Sequence, residues 1–114
     1  MPSKTGTIDP NGLVTIVVDG PDIGTRRCNW LGIKNTKGIA TTLKIYAREQ
    51  PPHFQIQQAV DRQLFEVALA SNDTWQFPTT DHVGEFVLDD PGLSIGAAIT
   101  SGGGAVFFAS VLDG

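Results

Sequence analysis

The chain has little of what chemistry at a protein site usually requires. Its 114 residues include one cysteine, Cys28, and two histidines, His53 and His82. A single cysteine excludes an internal disulfide, so packing must hold the fold together, as suits a protein matured in a reducing cytosol. Cys28 opens the apolar stretch Cys28-Asn-Trp-Leu-Gly-Ile33 and reads as a small buried hydrophobe, not a reactive thiol. Zinc needs three or four clustered ligands, which two distant histidines and a lone thiol do not supply. Calcium loops need closely alternating oxygen ligands. Asp19-Gly-Pro-Asp22 and Asp89-Asp90 are too sparse for that and read as turn acids. No metal and no cofactor are expected.

Charge is also scarce. Charged residues make up 18% of the chain, with a formal net charge of −4, against about a quarter charged in ordinary globular domains. Nucleic-acid binders show a basic stripe, whereas the densest basic spot here is Arg26-Arg27. No nucleic-acid partner is expected, and the acidity disfavours an anionic membrane surface. No apolar run approaches the ~20 residues of a membrane span. The first twelve residues hold no apolar run at all, so no signal peptide is expected.

Catalytic motifs are missing as well. There is no G-x-S-x-G elbow and no cysteine near a histidine in sequence. Glu66 and Glu85 fall on the polar sides of their segments and read as solvated charges rather than a hydrolytic pair. Ser101-Gly-Gly-Gly104 runs into Ala-Val-Phe-Phe, not into a helix with a lysine, so it reads as a hairpin tip and not a phosphate cradle. No enzymatic activity is expected.

What the chain does have is punctuation and alternation. Thirteen glycines and seven prolines are spread along it, dividing it into short segments as in all-β proteins. Period-two alternation is clearest where Leu43, Ile45 and Ala47 share one face. It recurs with Phe65, Val67 and Leu69, with Trp75 and Phe77, with Phe86 and Leu88, and with Leu93, Ile95, Ala97 and Ile99. Residues 13–18 and 28–33 complete the early strands. Trp30 and Trp75 both read as core rather than as a stacking platform with Tyr46 and Phe54. In residues 48–62, Pro51-Pro52 breaks any strand while Ile56, Ala59, Val60 and Leu64 recur at helical spacing. Either a long irregular loop or a loop holding one short helical turn is expected there.

These segments predict an all-β antiparallel sandwich of about eight short strands, jelly-roll or immunoglobulin-like. Residues 1–12, polar and broken by proline and glycine, are expected to be an extended N-terminal arm ordering on a neighbour, with residues 13–114 forming the single sandwich domain. The last strand, 105–112, is apolar on both faces. Val106, Phe108 and Leu112 are expected to fill the sandwich. Phe107, Ala109 and Val111 are then expected to face outward and to meet another copy of the chain, with the two faces exchanged as the alternative.

The strand around Lys44-Ile-Tyr46, the run Leu64-Phe-Glu-Val-Ala-Leu-Ala70, the Trp75-Gln-Phe-Pro78 strand and the glycine-tipped hairpin of residues 92–112 together resemble a recurring type of small tailed-bacteriophage virion protein. The resemblance implies a virion β-sandwich of the capsid decoration, or cement, type. Such a protein is made in the host cytoplasm, carried on the capsid surface, and bound to the major capsid protein, with a homotrimer matching the lattice threefolds. Residues 48–62 are longer than the short polar turn the resemblance leads one to expect. They are read as an insertion that makes a partner contact through Phe54 and Ile56. The alternative within the same resemblance is a tail-fibre or tail/neck domain, including one that binds carbohydrate for host attachment.

Overall fold

The computed structural model describes residues 3–21, 24–49, 60–77, 85–89 and 92–113. Within them the chain forms nine strands and no helix: β1 (Ser3–Ile8), β2 (Thr15–Val18), β3 (Arg26–Asn35), β4 (Thr41–Glu49), β5 (Val60–Leu69), β6 (Thr74–Phe77), β7 (Phe86–Leu88), β8 (Leu93–Ile99) and β9 (Ala105–Asp113). They make two antiparallel sheets. One runs β1-β9-β3-β6, with β7 beside β6 along the same edge of β3, and the other runs β2-β8-β4-β5.

The pairing has a simple logic. The first strand pairs with the last, the second with the next to last, the third with the β6/β7 run, and the fourth with the fifth. That is one long antiparallel hairpin rolled up into two layers, the jelly-roll arrangement, and it decides between the two topologies the sequence leaves open.

The sheets bury their facing sides against each other. Ile8, Leu31, Ile33, Leu43 and Ile45 are wholly buried, with Ile95, Ala97 and Ile99 from β8 opposite Ala105, Phe107 and Ala109 from β9. The alternations at Phe65/Val67/Leu69, Trp75/Phe77 and Phe86/Leu88 all turn inward as expected. Phe65 on β5, Trp75 and Phe77 on β6, and Phe86 on β7 form an aromatic cluster that joins the two layers, with Phe77 and Phe86 stacked at 4.5 Å.

Two expectations, one for the first residues and one for residues 48–62, need correction. Residues 3–8 are not an arm awaiting a neighbour but strand β1, paired residue for residue with β9 of the same chain from Ser3↔Ser110 to Ile8↔Ala105. The segment is polar because its outer face is wet and only Ile8 is fully buried. It is held chiefly by the backbone ladder, which leaves no hydrophobic signature. Residues 48 and 49 continue β4, and 60–62 belong to β5. Of the four residues at helical spacing, Ile56 and Ala59 lie outside the described residues, while Val60 and Leu64 are strand residues exposed to solvent.

Cys28 is fully buried, and its Sγ lies 3.3 Å from the Trp30 carbonyl oxygen. Burial pushes the thiol up to about 11, with the backbone hydrogen bond at Trp30 working against the shift. At about pH 8 only about one molecule in a thousand then carries a thiolate, the reactive form. A chromogenic disulfide reagent is expected to find no reactive thiol in the folded protein and one equivalent after unfolding. Rapid native-state labelling would show that the packing around Cys28 opens.

Candidate functional site

A β-bulge sets up the most distinctive surface. On β3, Cys28 pairs with Val111 and Trp30 with Ser110, so Asn29 is an extra residue and the side-chain alternation shifts by one. Cys28, Leu31 and Ile33 all point inward, and Trp30, expected in the core beside them, is turned onto the outer face with 37% of its surface exposed. Its indole lies over Gly32: a Cβ on Gly32 would collide with the ring carbons Cη2 and Cζ2. Gly32 is paired with Phe108, so the two aromatics occupy adjacent positions of one sheet face.

The same face carries more apolar surface. Leu112 and Val87 both pair with Arg27, which places them one row from Trp30. Phe108, Leu112 and Val87 are 45%, 52% and 48% exposed. Large apolar residues scattered singly are normal, but an outward group on neighbouring rows of one sheet face is a candidate contact surface. Polar groups stand within and around it: Arg27, between Leu112 and Val87, pairs with Glu85 at 3.4 Å, Lys34 lies beyond Phe108, and Thr5 and Thr7 stand on β1 opposite Phe108 and Val106.

No protein-family model matches the chain, and no curated protein does either.

The expected interface residues lie elsewhere. Phe107, Ala109 and Val111 are core residues, 7%, 2% and 1% exposed, and the outward side of β9 is Val106, Phe108, Ser110 and Leu112. The assignment of the two faces is thus the reverse of the expectation. The inward choice is favoured at Gly6, which pairs with Phe107 and leaves room for its ring: a Cβ there would sit 2.8 Å from Phe107 Cε1. Nor is β9 an edge strand, since β1 and β3 flank it. Phe54 and Ile56 fall outside the described residues, as do His53 and His82.

Charged groups gather at one end of the sandwich. Arg26 reaches Asp19 Oδ1 at 2.9 Å and donates to both carboxylate oxygens of Asp113, at 2.7 and 3.1 Å; Lys4 approaches Asp19 at 3.1 Å. Burial pushes the Asp19 carboxyl up, but its hydrogen bonds and the charges of Lys4 and Arg26 outweigh that and hold it below the ordinary range. The Arg26 hydrogen bonds hold Asp113 low too, and those of Arg48 do the same for Asp61 on the β4–β5 hairpin. Each of these carboxylates is held by a cation already in contact with it. Among the described residues no group of three His, Cys, Asp or Glu side chains is placed to hold a metal ion.

Proposed function

We propose that this protein is a capsid decoration subunit of a tailed bacteriophage, docking on the lattice of the major capsid protein through the outer face of its β1-β9-β3-β6 sheet. The observation that carries the docking face is the Trp30–Phe108–Leu112–Val87 surface; the resemblance of residues 43–47, 64–70, 75–78 and 92–112 to small virion proteins points to the lattice as its partner. The jelly roll is compatible with this reading, being a fold that viral capsid domains use among others. The mechanism is adhesion. Apolar area removed from water stabilises the contact by about 25 cal/mol per Å², and placing many copies on one lattice makes a modest interface effective. A homotrimer at a lattice threefold would use Phe108 and Leu112, the residues that are exposed, and not Phe107 and Val111.

The test is binding of the purified chain to capsids lacking it. Copies bound per particle are expected to follow the number of lattice positions. Trp30→Ala and Phe108→Asp, central in the patch, are each expected to weaken binding by about 30-fold or more, the scale of a buried aromatic anchor. Occupancy by only a handful of copies would place the protein at the tail or neck instead. Undiminished binding by both variants would show that this face is not the contact.

A further inference from the structure

The outer face of the other sheet carries a groove made by a step in side-chain size. Thr42, Lys44 and Tyr46 stand in a row on β4. Beside them on β8, Lys44 is paired with Ala98 and Tyr46 with Gly96. A row of long side chains next to a row with almost none leaves a trough, and here it measures about 450 Å³. The segment ahead of β2 forms the far side. Gly12 lines the trough, while Val14 fills the space above Gly96, where a Cβ would come 2.5 Å from Val14 Cγ1. The open part therefore lies over Ala98, within reach of Tyr46, Lys44, Glu66 and the Thr42 and Thr100 side chains.

The lining has a definite chemical character. Lys44 and Glu66 are a cross-strand pair with Nζ and Oε1 3.8 Å apart, both substantially exposed, so the walls offer a donor and an acceptor with no net charge. Thr100 Oγ1 accepts from the Thr42 amide at 3.1 Å, which leaves its hydroxyl proton for another partner. Tyr46 adds an aromatic ring with a polar tip. A phosphate or carboxylate ligand would meet Glu66, and a purely apolar one would leave the charges and hydroxyls without partners. What fits is an uncharged ring with one apolar face and a rim of hydroxyls.

We infer that this groove binds a neutral saccharide of one or two rings, with Tyr46 against the sugar face and Lys44, Glu66 and Thr100 hydrogen-bonding its hydroxyls. The groove lies on the opposite side of the sandwich from Trp30 and Phe108, so the inference does not depend on the capsid reading, and both faces can be occupied together.

The experiment is a titration of the isotopically labelled full chain with uncharged probes, the methyl glycosides of glucose, galactose, mannose and N-acetylglucosamine and the disaccharides maltose and lactose, followed by amide chemical shifts. At least one probe is expected to shift Thr42, Lys44, Glu66, Ala98 and Thr100 together while leaving Trp30 and Phe108 unmoved. Tyr46→Ala is expected to weaken that binding about fivefold or more. Ala98→Leu, which fills the trough from its floor, is expected to abolish it; well-dispersed spectra show that each variant is folded. The inference is overturned if no probe moves the groove amides, if the shifts cluster elsewhere, or if Tyr46→Ala binds as well as the parent.

Discussion

A Phe107→Asp chain is expected to show no cooperative thermal transition, whereas Phe108→Asp, the next residue on the same strand, is expected to melt within a few degrees of the parent. Phe107 is 7% exposed and packed in the core beside Gly6 and Ile33, while Phe108 is 45% exposed on the outer face. Truncating a buried phenylalanine alone costs about 3–5 kcal/mol, and a carboxylate with no partner in that space adds a further penalty. Together these approach the total stability of about 5–15 kcal/mol typical of a small domain. An aspartate in place of Phe108 stays solvated, and changes of that kind usually lie within about 0.5 kcal/mol. Circular dichroism melts of the two purified variants decide the matter. Should Phe108→Asp fail to fold while Phe107→Asp melts normally, the two faces of β9 are reversed, and the docking surface proposed here goes with them.

The second large effect is expected at Asn35, a residue with no obvious role in the sequence. It is fully buried at the end of β3. Its Nδ2 group donates to the carbonyl oxygens of Ile39 at 2.8 Å, Ala70 at 3.0 Å and Leu69 at 3.3 Å, and its Oδ1 accepts from the Lys37 amide at 2.9 Å. Its own backbone N–H donates to Asp73. One side chain thus ties the turn after β3 to the turn after β5 and joins the two sheets. Asn35→Asp keeps the shape but replaces the donor with a carboxylate facing three carbonyl oxygens. A loss of about 3–5 kcal/mol is expected at neutral pH, the cost of a buried charge left without its partner.

The pH dependence gives a second readout of the same substitution. Carbonyl oxygens and burial both raise the introduced carboxyl above its unfolded value of about 3.9. The folded variant then binds a proton more readily than the unfolded one, so its stability rises as pH falls through the raised value and on down to the unfolded value of about 3.9. The gap between variant and parent in urea unfolding is therefore expected to be widest at neutral pH and to narrow on acidification. A gap that stays small at neutral pH would mean the turns hold each other without Asn35.

Sequence and structure divide the remaining information in a way that follows from the range of each interaction. Alternation is a property of the backbone: successive side chains on a strand point to opposite faces wherever the strand goes. The inward placement of Phe65 and Val67, of Trp75 and Phe77, and of Ile95 and Ala97 was therefore legible, because polar neighbours or small residues marked the other face. Turns at residues 9–12, 71–73 and 101–104 were legible for the same local reason, with Gly12, Asn72 and Gly102 in left-handed backbone conformations that glycine and asparagine tolerate best. The all-β character follows from these local signals.

Local signals cannot settle a choice made between segments far apart in the chain. β9 is apolar on both sides, so its facing depends on register against β1 and β3, and a one-residue shift exchanges every side chain. The Asn29 bulge makes such a shift within β3 and brings Trp30 outside, where a run of six mostly apolar residues had pointed to the core. β1 carries little hydrophobic signal because its partner lies about a hundred residues away and the ladder between them is backbone. The groove likewise exists only because Ala98 and Gly96 are laid beside Lys44 and Tyr46. By itself the sequence determined that the chain makes short amphipathic strands and where most of them turn, since those depend on neighbours a few residues away. The pairing of first strand with last, the outward side of β9, the outward apolar group around Trp30 and the groove were decided by tertiary structure alone, because each rests on contacts between residues that only the roll-up of the hairpin brings together.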